Sequence, residues 1–356
     1  MFIVRLFGVN FAKGMPPQSI AANAQPHPRT RGEIDLCLSL AATIYIALHS
    51  ACPGPQWLDR VAPTLGRQGE APAVIFVAGA NKGFGIISLL NRFGDRGMKP
   101  LAWQVALRRY KERRARQALT PASASSCGVC GACREPQPPI ARLLASHLEL
   151  HAFELTQANA AWLIHARKAF GLDRKAHSLV VTRAAVSNAS GELLVPVSGA
   201  ASVVGEESIS PLGISLGTSH AASRAEAQSR GPEKIERVRA IALDDYARNA
   251  RVQHIDFLSI DTEGFDALVL EGAAGLLERG AVTVVEFEYH FTAYWNASQA
   301  ESRSLEGVVR SLGRWGYTCF FQGNARLADG CVAAITGSCW RAAYEVRSAS
   351  GGLLGS

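Results

Sequence analysis

The feature that most constrains the fold is an alternation of short apolar runs with segments of helical periodicity, which begins at Val74. This alternation is typical of α/β domains built on a largely parallel sheet. We predict seven strands with helices on both faces of the sheet, the strands lying at Val74–Val77, Leu148–Glu154, 177–188, Ile255–Asp261 and Ala281–Tyr289 and in the runs YTCFF and CVAAI. Ligands of such sheets bind beyond the carboxyl ends of the strands, where the strand order reverses. The turns after the first four strands are therefore the candidate site.

The first of these turns is the glycine-rich stretch VAGANKGFGI, residues 77–86. Its glycines, Gly79, Gly83 and Gly85, fit the nicotinamide-binding turn of short-chain dehydrogenases and also the first motif of a methyltransferase family. The dehydrogenases need a tyrosine with a lysine four positions later, and no Tyr-x-x-x-Lys occurs in the chain. The glycine turn alone therefore leaves both readings open, and the missing pair weighs against a dehydrogenase.

Several further stretches follow the turn in a characteristic order: HAFELTQANAAWL, RAAVSNASG, IALDDYARNARVQHIDFLSIDTEGFDALVLEGA and VVEFE. Together with VAGANKG they resemble the FkbM family of S-adenosylmethionine-dependent methyltransferases. The block IDFLSIDTEG is the most specific part. The resemblance spans Val74 to about Tyr289 and leaves out the amino-terminal region and residues 98–146. It implies a Rossmann-like class I methyltransferase fold and S-adenosylmethionine as the cofactor.

The resemblance also implies a set of cofactor-binding residues. Glycines in the first turn let the backbone approach the methionine part of the cofactor, and the following helix start favours its carboxylate. Glu154 is expected to face the crevice and to accept hydrogen bonds from both ribose hydroxyls, although a solvated acid at a helix start would look the same in sequence. The implied set is Gly79, Ala80, Asn81, Gly83, Glu154, Asp261 and, around the adenine, Val186, Ser187 and the neighbouring Asn188.

Acidic residues after the fourth and fifth strands are the catalytic candidates. In the family reading, Asp261 and Glu263 border the sulfonium and the incoming acceptor, where a carboxylate can orient the cofactor or take a proton from a hydroxyl. An N-cap and a first-turn acid would explain the same two residues. Glu286, Glu288 and His290 are further base candidates, and His290 alone has an ordinary pKa near neutrality, although a surface histidine explains it equally.

One position departs from the family pattern. Members usually carry an acid two residues before the first motif glycine, and this chain has Val77 there. The leading hypothesis is a methyltransferase that transfers the sulfonium methyl to a hydroxyl of a small molecule or glycan by in-line displacement. Val77 motivates a rival of another class, a catalytically degenerate binding protein with the same fold. An NAD(P)-dependent dehydrogenase is the third alternative.

The chain divides into an amino-terminal extension at 1–60, a methyltransferase domain at 61–345 and a tail at 346–356. Within the domain, residues 99–146 are predicted to be an insertion, because they separate a strand-turn-helix unit from the strand that should follow. The formal charge of +7 arises mainly from the first part of this insertion, Lys99–Gln117, which has seven basic residues and one acid. A solvated helix face or a mobile insertion explains such a run more simply than binding to a nucleic acid or to an anionic membrane, and no nucleic-acid partner is expected.

The amino-terminal extension contains a mostly apolar run, Leu36–Cys52. It is shorter than the roughly 20 apolar residues of a spanning helix, so a signal anchor competes with a buried or interfacial helix. The first 32 residues are basic and free of acids, as in transit peptides, and two Asn-x-Ser sequons lie at Asn188 and Asn296. These features favour a membrane-anchored, secretory or organellar protein over a cytoplasmic one, with membrane association through 36–52.

Three of the eight cysteines, Cys127, Cys130 and Cys133, have C-x-x-C-x-x-C spacing within the insertion. Such thiolates could share a metal ion with His147 or His151 as the fourth ligand. Because no fourth cysteine follows, free thiols or a local disulfide are at least as consistent with the spacing. The sequence therefore predicts no metal site.

Overall fold

The structure is a computed structural model that describes residues 3–10, 57–58, 72–94, 96–118, 139–140, 143–173, 177–197, 234–262, 264–290, 301–322 and 332–336. The strands are β1 Ile3–Asn10, β2 Ala73–Ala78, β3 Leu148–Glu154, β4 His177–Arg183, β5 Ala185–Val186, β6 Gly191–Val197, β7 Lys234–Ile241, β8 Ile255–Ile260, β9 Val282–His290, β10 Tyr317–Gln322 and β11 Val332–Ala334. The helices are α1 Phe84–Gly94, α2 Pro100–Ala118, α3 Gln157–Ala169, α4 Leu243–Ala250, α5 Asp266–Gly272, α6 Ala274–Glu278 and α7 Leu305–Arg314, with a short 3₁₀ turn at Glu301–Arg303.

The main sheet has the order β11-β10-β1-β9-β8-β2-β3-β4. Five adjacent strands of this sheet, β9-β8-β2-β3-β4, are parallel to one another. This arrangement confirms the α/β class. The chain leaves β2 towards β3 and β4 on one side and later fills β8 and β9 on the other. The strand order therefore reverses between β2 and β8, and the carboxyl ends of these two strands mark the expected ligand crevice.

The predicted number of strands in this sheet was wrong. Eight strands are present, because Ile3–Asn10, which the sequence analysis placed in the amino-terminal extension, lies antiparallel between β9 and β10. The predicted strand at 177–188 is also two strands, since the chain turns at Ala184 and β5 pairs with β7 in a separate three-stranded sheet. In that second sheet β6 and β7 form an antiparallel pair.

Two apolar clusters cover the two faces of the main sheet, as the predicted helices on both faces require. Side chains alternate along β2, so that Ile75 and Val77 enter one cluster while Phe76 and Ala78 enter the other. Helices α1, α2 and α3 contribute to the Val77 side, and α4 to α7 contribute to the Phe76 side. Both faces of β2 are thereby buried, which is typical of a central parallel strand.

The first part of the predicted insertion 99–146 belongs to the core. Pro100–Ala118 forms α2, and its Trp103 and Leu107 are fully buried against the cluster that contains α1 and α3. Its arginines at 108, 109, 113, 114 and 116 are exposed, so the charge run lies on the outer side of a helix. The apolar positions of α2 were overlooked because the charge run dominates its composition.

The predicted apolar segment 36–52, the cysteines at 127, 130 and 133 and the tail 346–356 lie outside the described residues. Among the residues that the structure does describe, no helix has the length and apolarity that crossing a membrane requires.

Candidate functional site at the switch point of the sheet

The glycine turn lies where the strand order reverses. The amide of Asp261, just after β8, donates to the carbonyl of Ala78 at the end of β2 over 2.9 Å. Gly79 follows with a φ of +82°, and a Cβ built on it would lie 1.8 Å from the carbonyl oxygen of Asp261. Only glycine fits this position, because the backbone is left-handed and the next strand is in contact with it.

Two further residues of the turn are in the left-handed region. Asn81 has a φ of +47° and Gly83 a φ of +82°. The amides of Gly79 and Ala80 both donate to the carbonyl of Phe153 at 3.0 Å, and the amide of Gly83 donates to the carbonyl of Ala80 at 2.9 Å. The turn thus folds over the end of β3 before α1 begins. The structure places Gly79, Ala80, Asn81 and Gly83 in one turn at the carboxyl end of β2.

Glu154, the last residue of β3, is attached to this turn. Its Oε2 accepts the amide of Asn81 at 2.7 Å, and its Oε1 accepts the amide and hydroxyl of Thr156 at 2.7 and 2.6 Å. Burial raises the pKa of Glu154, and the hydrogen bonds from Thr156, Asn81 and Asn159 oppose this rise. The side chain is 5% exposed.

We expected Glu154 to face the crevice and to bind both ribose hydroxyls; in the structure its carboxylate is buried and already bonded to protein donors. It joins the glycine turn to the start of α3. Glu154 thus binds the turn from β3, while position 77, where family members usually carry an acid, has no polar side chain. Val77 itself is buried in the apolar cluster beneath the sheet, where an ionised side chain would be costly.

Two tryptophans hold the turn from the other side. The indole nitrogens of Trp103 in α2 and Trp162 in α3 both donate to the carbonyl of Lys82, at 2.8 and 3.0 Å. A Cβ built on Gly83 would lie 2.7 Å from both Trp103 and Leu163, so this glycine allows the close packing. Sequence reasoning missed Trp103, which lies in a segment that the family resemblance does not cover.

The predicted adenine residues lie near the end of β3. The amide of Ala184 donates to the carbonyl of Glu154 at 3.1 Å, which places the following loop beside the glutamate. Val186 and Ser187 are 7% and 5% exposed, and Asn188 is exposed. The loop also contacts α5 closely, because a Cβ on Gly272 would lie 2.1 Å from the carbonyl oxygen of Ser187.

The loop after β8 is organised by a residue that sequence reasoning missed. Asp266 is fully buried, and its carboxylate accepts the hydroxyl of Thr262 at 2.9 Å and the amide of Glu288 at 2.9 Å. The signal was present in the block IDTEGFD, whose second aspartate directly precedes the apolar residues of α5. Asp261 is half-buried at the end of β8, and Glu263 lies outside the described residues.

The base candidates of β9 lie in different surroundings. Glu286 is half-buried and accepts the Gln322 amide at 3.0 Å, with the Ser259 hydroxyl at 3.4 Å. Glu286 on β9 is in register with Ser259 on β8, and Ser259 is in register with Val77 on β2. The Glu286 carboxylate therefore lies two strands away from position 77, where family members usually carry an acid. Glu288 is 5% exposed. His290 ends β9 opposite Ile3, and its side chain lies outside the described part of the chain.

His151, a predicted candidate for a metal ligand, is buried on the Phe76 side of the sheet, the face opposite to Val77. Its Nδ1 lies 2.8 Å from the hydroxyl of Tyr246, and its Nε2 lies 3.0 Å from Glu149. Burial lowers the pKa of His151, while the charge of Glu149 opposes this effect. Within the described residues no group of histidines, cysteines and acids has the geometry of a metal site.

Residues at the carboxyl ends of β3 and β8 thus contact the glycine turn, and the end of β5 lies beyond Glu154. The sequence that supplies these residues can be compared with known families. The profile of the methyltransferase FkbM domain matches residues 130–319, more than half of the 356-residue chain. The chain belongs to the FkbM methyltransferase family. The matched range includes Glu154, Val186, Ser187, Asp261, Glu263 and His290, while the glycine turn at 79–83 precedes it and reaches the site through the fold.

Among solved structures, the chain is similar to the crystal structure of methyltransferase FkbM from Methylobacillus flagellatus KT. The two are 10% identical with a TM-score of 0.33, and the similarity covers 73% of this chain and 44% of that chain. The chain therefore spans less than half the length of that methyltransferase. No curated protein sequence matches the chain.

Proposed function

We propose that the protein is an S-adenosylmethionine-dependent methyltransferase that methylates a hydroxyl group of a small molecule or glycan. Membership of the FkbM family supports methyl transfer. The observation that carries the cofactor assignment is the left-handed glycine turn at the switch point, which lies against the Asp261 carbonyl and is bound by Glu154. A turn of this kind followed directly by a helix is suited to a ligand with an adenosine and a carboxylate.

The residues of the site fit such a cofactor. The two tightest points of the turn are glycines, Gly79 and Gly83, which have no Cβ. We assign the methionine part of the cofactor to these two residues together with Ala80 and Asn81. We assign the adenine to Val186 and Ser187, which directly follow the point where the Ala184 amide donates to the Glu154 carbonyl. When bound, the cofactor supplies a methyl group on a positively charged sulfur.

Glu154 needs a more specific assignment, because protein donors already occupy its carboxylate. A ribose hydroxyl can bond to Glu154 where it replaces a side-chain donor, either the Thr156 hydroxyl or the Asn159 amide. The backbone donors Asn81 and Thr156 remain in place in that arrangement. Glu154 then holds the turn and the ribose with the same carboxylate.

The acceptor is assigned to the side of the crevice formed by β8 and β9. Asp261, with Glu263 and His290, orients the acceptor hydroxyl and takes its proton as the methyl group is transferred. Asp261 is at the switch point itself, and Glu286 adds a half-buried carboxylate on the neighbouring strand. The two substrates approach in line, so positioning contributes most of the rate enhancement.

Titration calorimetry with S-adenosylhomocysteine tests the cofactor, and NADPH serves as the matched control ligand. We expect stoichiometric binding of S-adenosylhomocysteine and no heat from NADPH. The degenerate binding protein motivated by Val77 predicts heat from neither ligand, and heat from NADPH alone would restore the dehydrogenase. Transfer of a labelled methyl group to a panel of hydroxylated small molecules and glycans then tests the reaction.

A further inference from the structure

The exposed side of α2 combines two chemical characters along one helix. The helix carries six basic residues and one acid, and the acid, Glu112, lies 3.8 Å from Arg108. Near its start, Leu101 is 68% exposed, the most exposed of the large apolar side chains in the described part of the chain. The outer side of α2 therefore has an apolar start and a basic remainder.

The packing of α2 fixes this surface in one direction. Trp103 and Leu107 are fully buried, and the Trp103 indole is bonded to the glycine turn, so the helix cannot roll about its axis. At 3.6 residues per turn the opposite side presents Leu101, Arg108, Arg109, Arg116 and, at its margin, Arg113, with Glu112 between them as the one acid of the helix. From Leu101 to Arg116 this surface extends over roughly 22 Å.

The neighbouring helix increases the positive charge instead of neutralising it. Helix α3 has no acidic residue, and it exposes Lys168 and Ile164, the latter at 47%. The two helices are in contact through Tyr110 and His165, whose rings stack at 4.9 Å. Both helices therefore expose basic and apolar side chains, which we group under the name α2–α3 surface: Leu101, Arg108, Arg109, Arg116, Ile164 and Lys168.

We propose that the α2–α3 surface docks the protein on an anionic lipid membrane. Arginines bind lipid phosphates through paired hydrogen bonds, and exposed leucine and isoleucine side chains gain by entering the boundary between head groups and acyl chains. The charge complementarity and the two exposed aliphatic side chains together favour a lipid surface. A nucleic acid would satisfy the arginines and leave Leu101 and Ile164 without a partner. The proposal is independent of methyl transfer.

Vesicle flotation with the full chain tests this docking. Vesicles of phosphatidylcholine with about one-third phosphatidylserine are compared with phosphatidylcholine alone at low and high salt. We expect binding that requires phosphatidylserine and is lost at high salt. The variant R109Q/R116Q should bind about 25-fold more weakly, at roughly fivefold for each arginine. The control R251Q/R279Q removes two exposed arginines from the other side of the main sheet and should stay within about twofold of wild type.

Leu101→Ser separates the lipid surface from a nucleic-acid surface. It should weaken vesicle binding and leave any binding to duplex DNA unchanged. Equal binding to both vesicle types, or equal losses in the two double variants, would overturn the proposal. Tight binding to DNA that needs Arg109 and Arg116, without binding to the anionic vesicles, would assign the surface to nucleic acid instead.

Discussion

Gly79→Ala is the substitution whose effect the structure defines best. The residue has a φ of +82°, and its missing Cβ would lie 1.8 Å from the Asp261 carbonyl oxygen and 2.7 Å from the Asp261 carbonyl carbon. Both atoms belong to the backbone, so no side chain can move aside to relieve the overlap. The ends of β2 and β8 must separate where the Asp261 amide bonds to Ala78.

Three contributions set the size of the effect. A Cβ in the left-handed region costs about 1–2 kcal/mol, loss of the Asp261–Ala78 hydrogen bond costs about 1 kcal/mol, and the disturbed packing of the strand ends adds a further 1–2 kcal/mol. We therefore expect Gly79→Ala to lower the free energy of unfolding by about 3–5 kcal/mol. The displaced turn should also weaken S-adenosylhomocysteine binding by at least about tenfold.

Gly85→Ala is the matched control. Gly85 lies in the first turn of α1, and nothing lies within 4 Å of its missing Cβ. The same substitution should leave stability unchanged or raise it by up to about 1 kcal/mol, because alanine favours the helix. Urea unfolding and calorimetry measure both variants. Wild-type stability and affinity in Gly79→Ala would refute the close approach of the turn to β8, and with it the location of the site.

Three further predictions concern the side chains that hold the turn and the core beneath it. Glu154→Gln places an amide donor among the donors from Asn81 and Thr156. We therefore expect the free energy of unfolding to fall by about 1–3 kcal/mol and S-adenosylhomocysteine binding to weaken at least about tenfold. An unchanged free energy of unfolding and an unchanged affinity would contradict the observed hydrogen bonds. Trp103→Phe and Trp162→Phe each remove one of the two donors to the Lys82 carbonyl. Each substitution should weaken S-adenosylhomocysteine binding several-fold, and the double variant should lose more affinity than either single one. Unaltered affinity in the double variant would show that the turn does not depend on the two indole donors. Burial holds the pKa of His151 below its usual range. The unfolded chain therefore takes up a proton that the folded chain does not, and the free energy of unfolding should fall as the pH drops below about 6.5. Urea unfolding across that range should show a weaker pH dependence for His151→Gln, and an identical slope would remove His151 as its cause.

The central parallel part of the fold could be predicted because each of its strands carries a strong local signal. The apolar run before the glycine turn is β2, and the run LELHAFE is β3 with Glu154 as its last residue. Strand ends and turns follow from local composition, so the position of the glycine turn and of Glu154 beside it could be inferred. The class of fold followed from the order of these elements.

The added strand and the role of α2 depend on contacts between distant parts of the chain. β1 pairs with β9 and β10, which lie more than 270 residues later, and nothing in IVRLFGVN indicates these partners. Trp103 is separated from Lys82 by 21 residues and from Trp162 by still more of the chain. Local periodicity carries no information on such pairings.

The chemistry of the site was only partly predictable for a similar reason. Sequence position indicated that Glu154 ends a strand near the cofactor, but not that Asn81 and Thr156 occupy its carboxylate. Val77, in place of the usual acid, suggested a catalytically degenerate binding protein as an alternative. Its sequence position did not reveal that the carboxylate of Glu154 on the neighbouring strand binds the glycine turn.

Amide hydrogen exchange with and without S-adenosylhomocysteine tests the central claim that this turn binds a methyl donor. The account predicts slower exchange on ligand addition in the peptides that cover Gly79–Gly83, Glu154–Thr156 and Val186–Ser187, with the exposed end of α2 unchanged. NADPH at the same concentration should produce no such protection. Protection that leaves these three segments unchanged, or none anywhere under conditions of saturating ligand, would contradict the assignment of the switch point as the cofactor site.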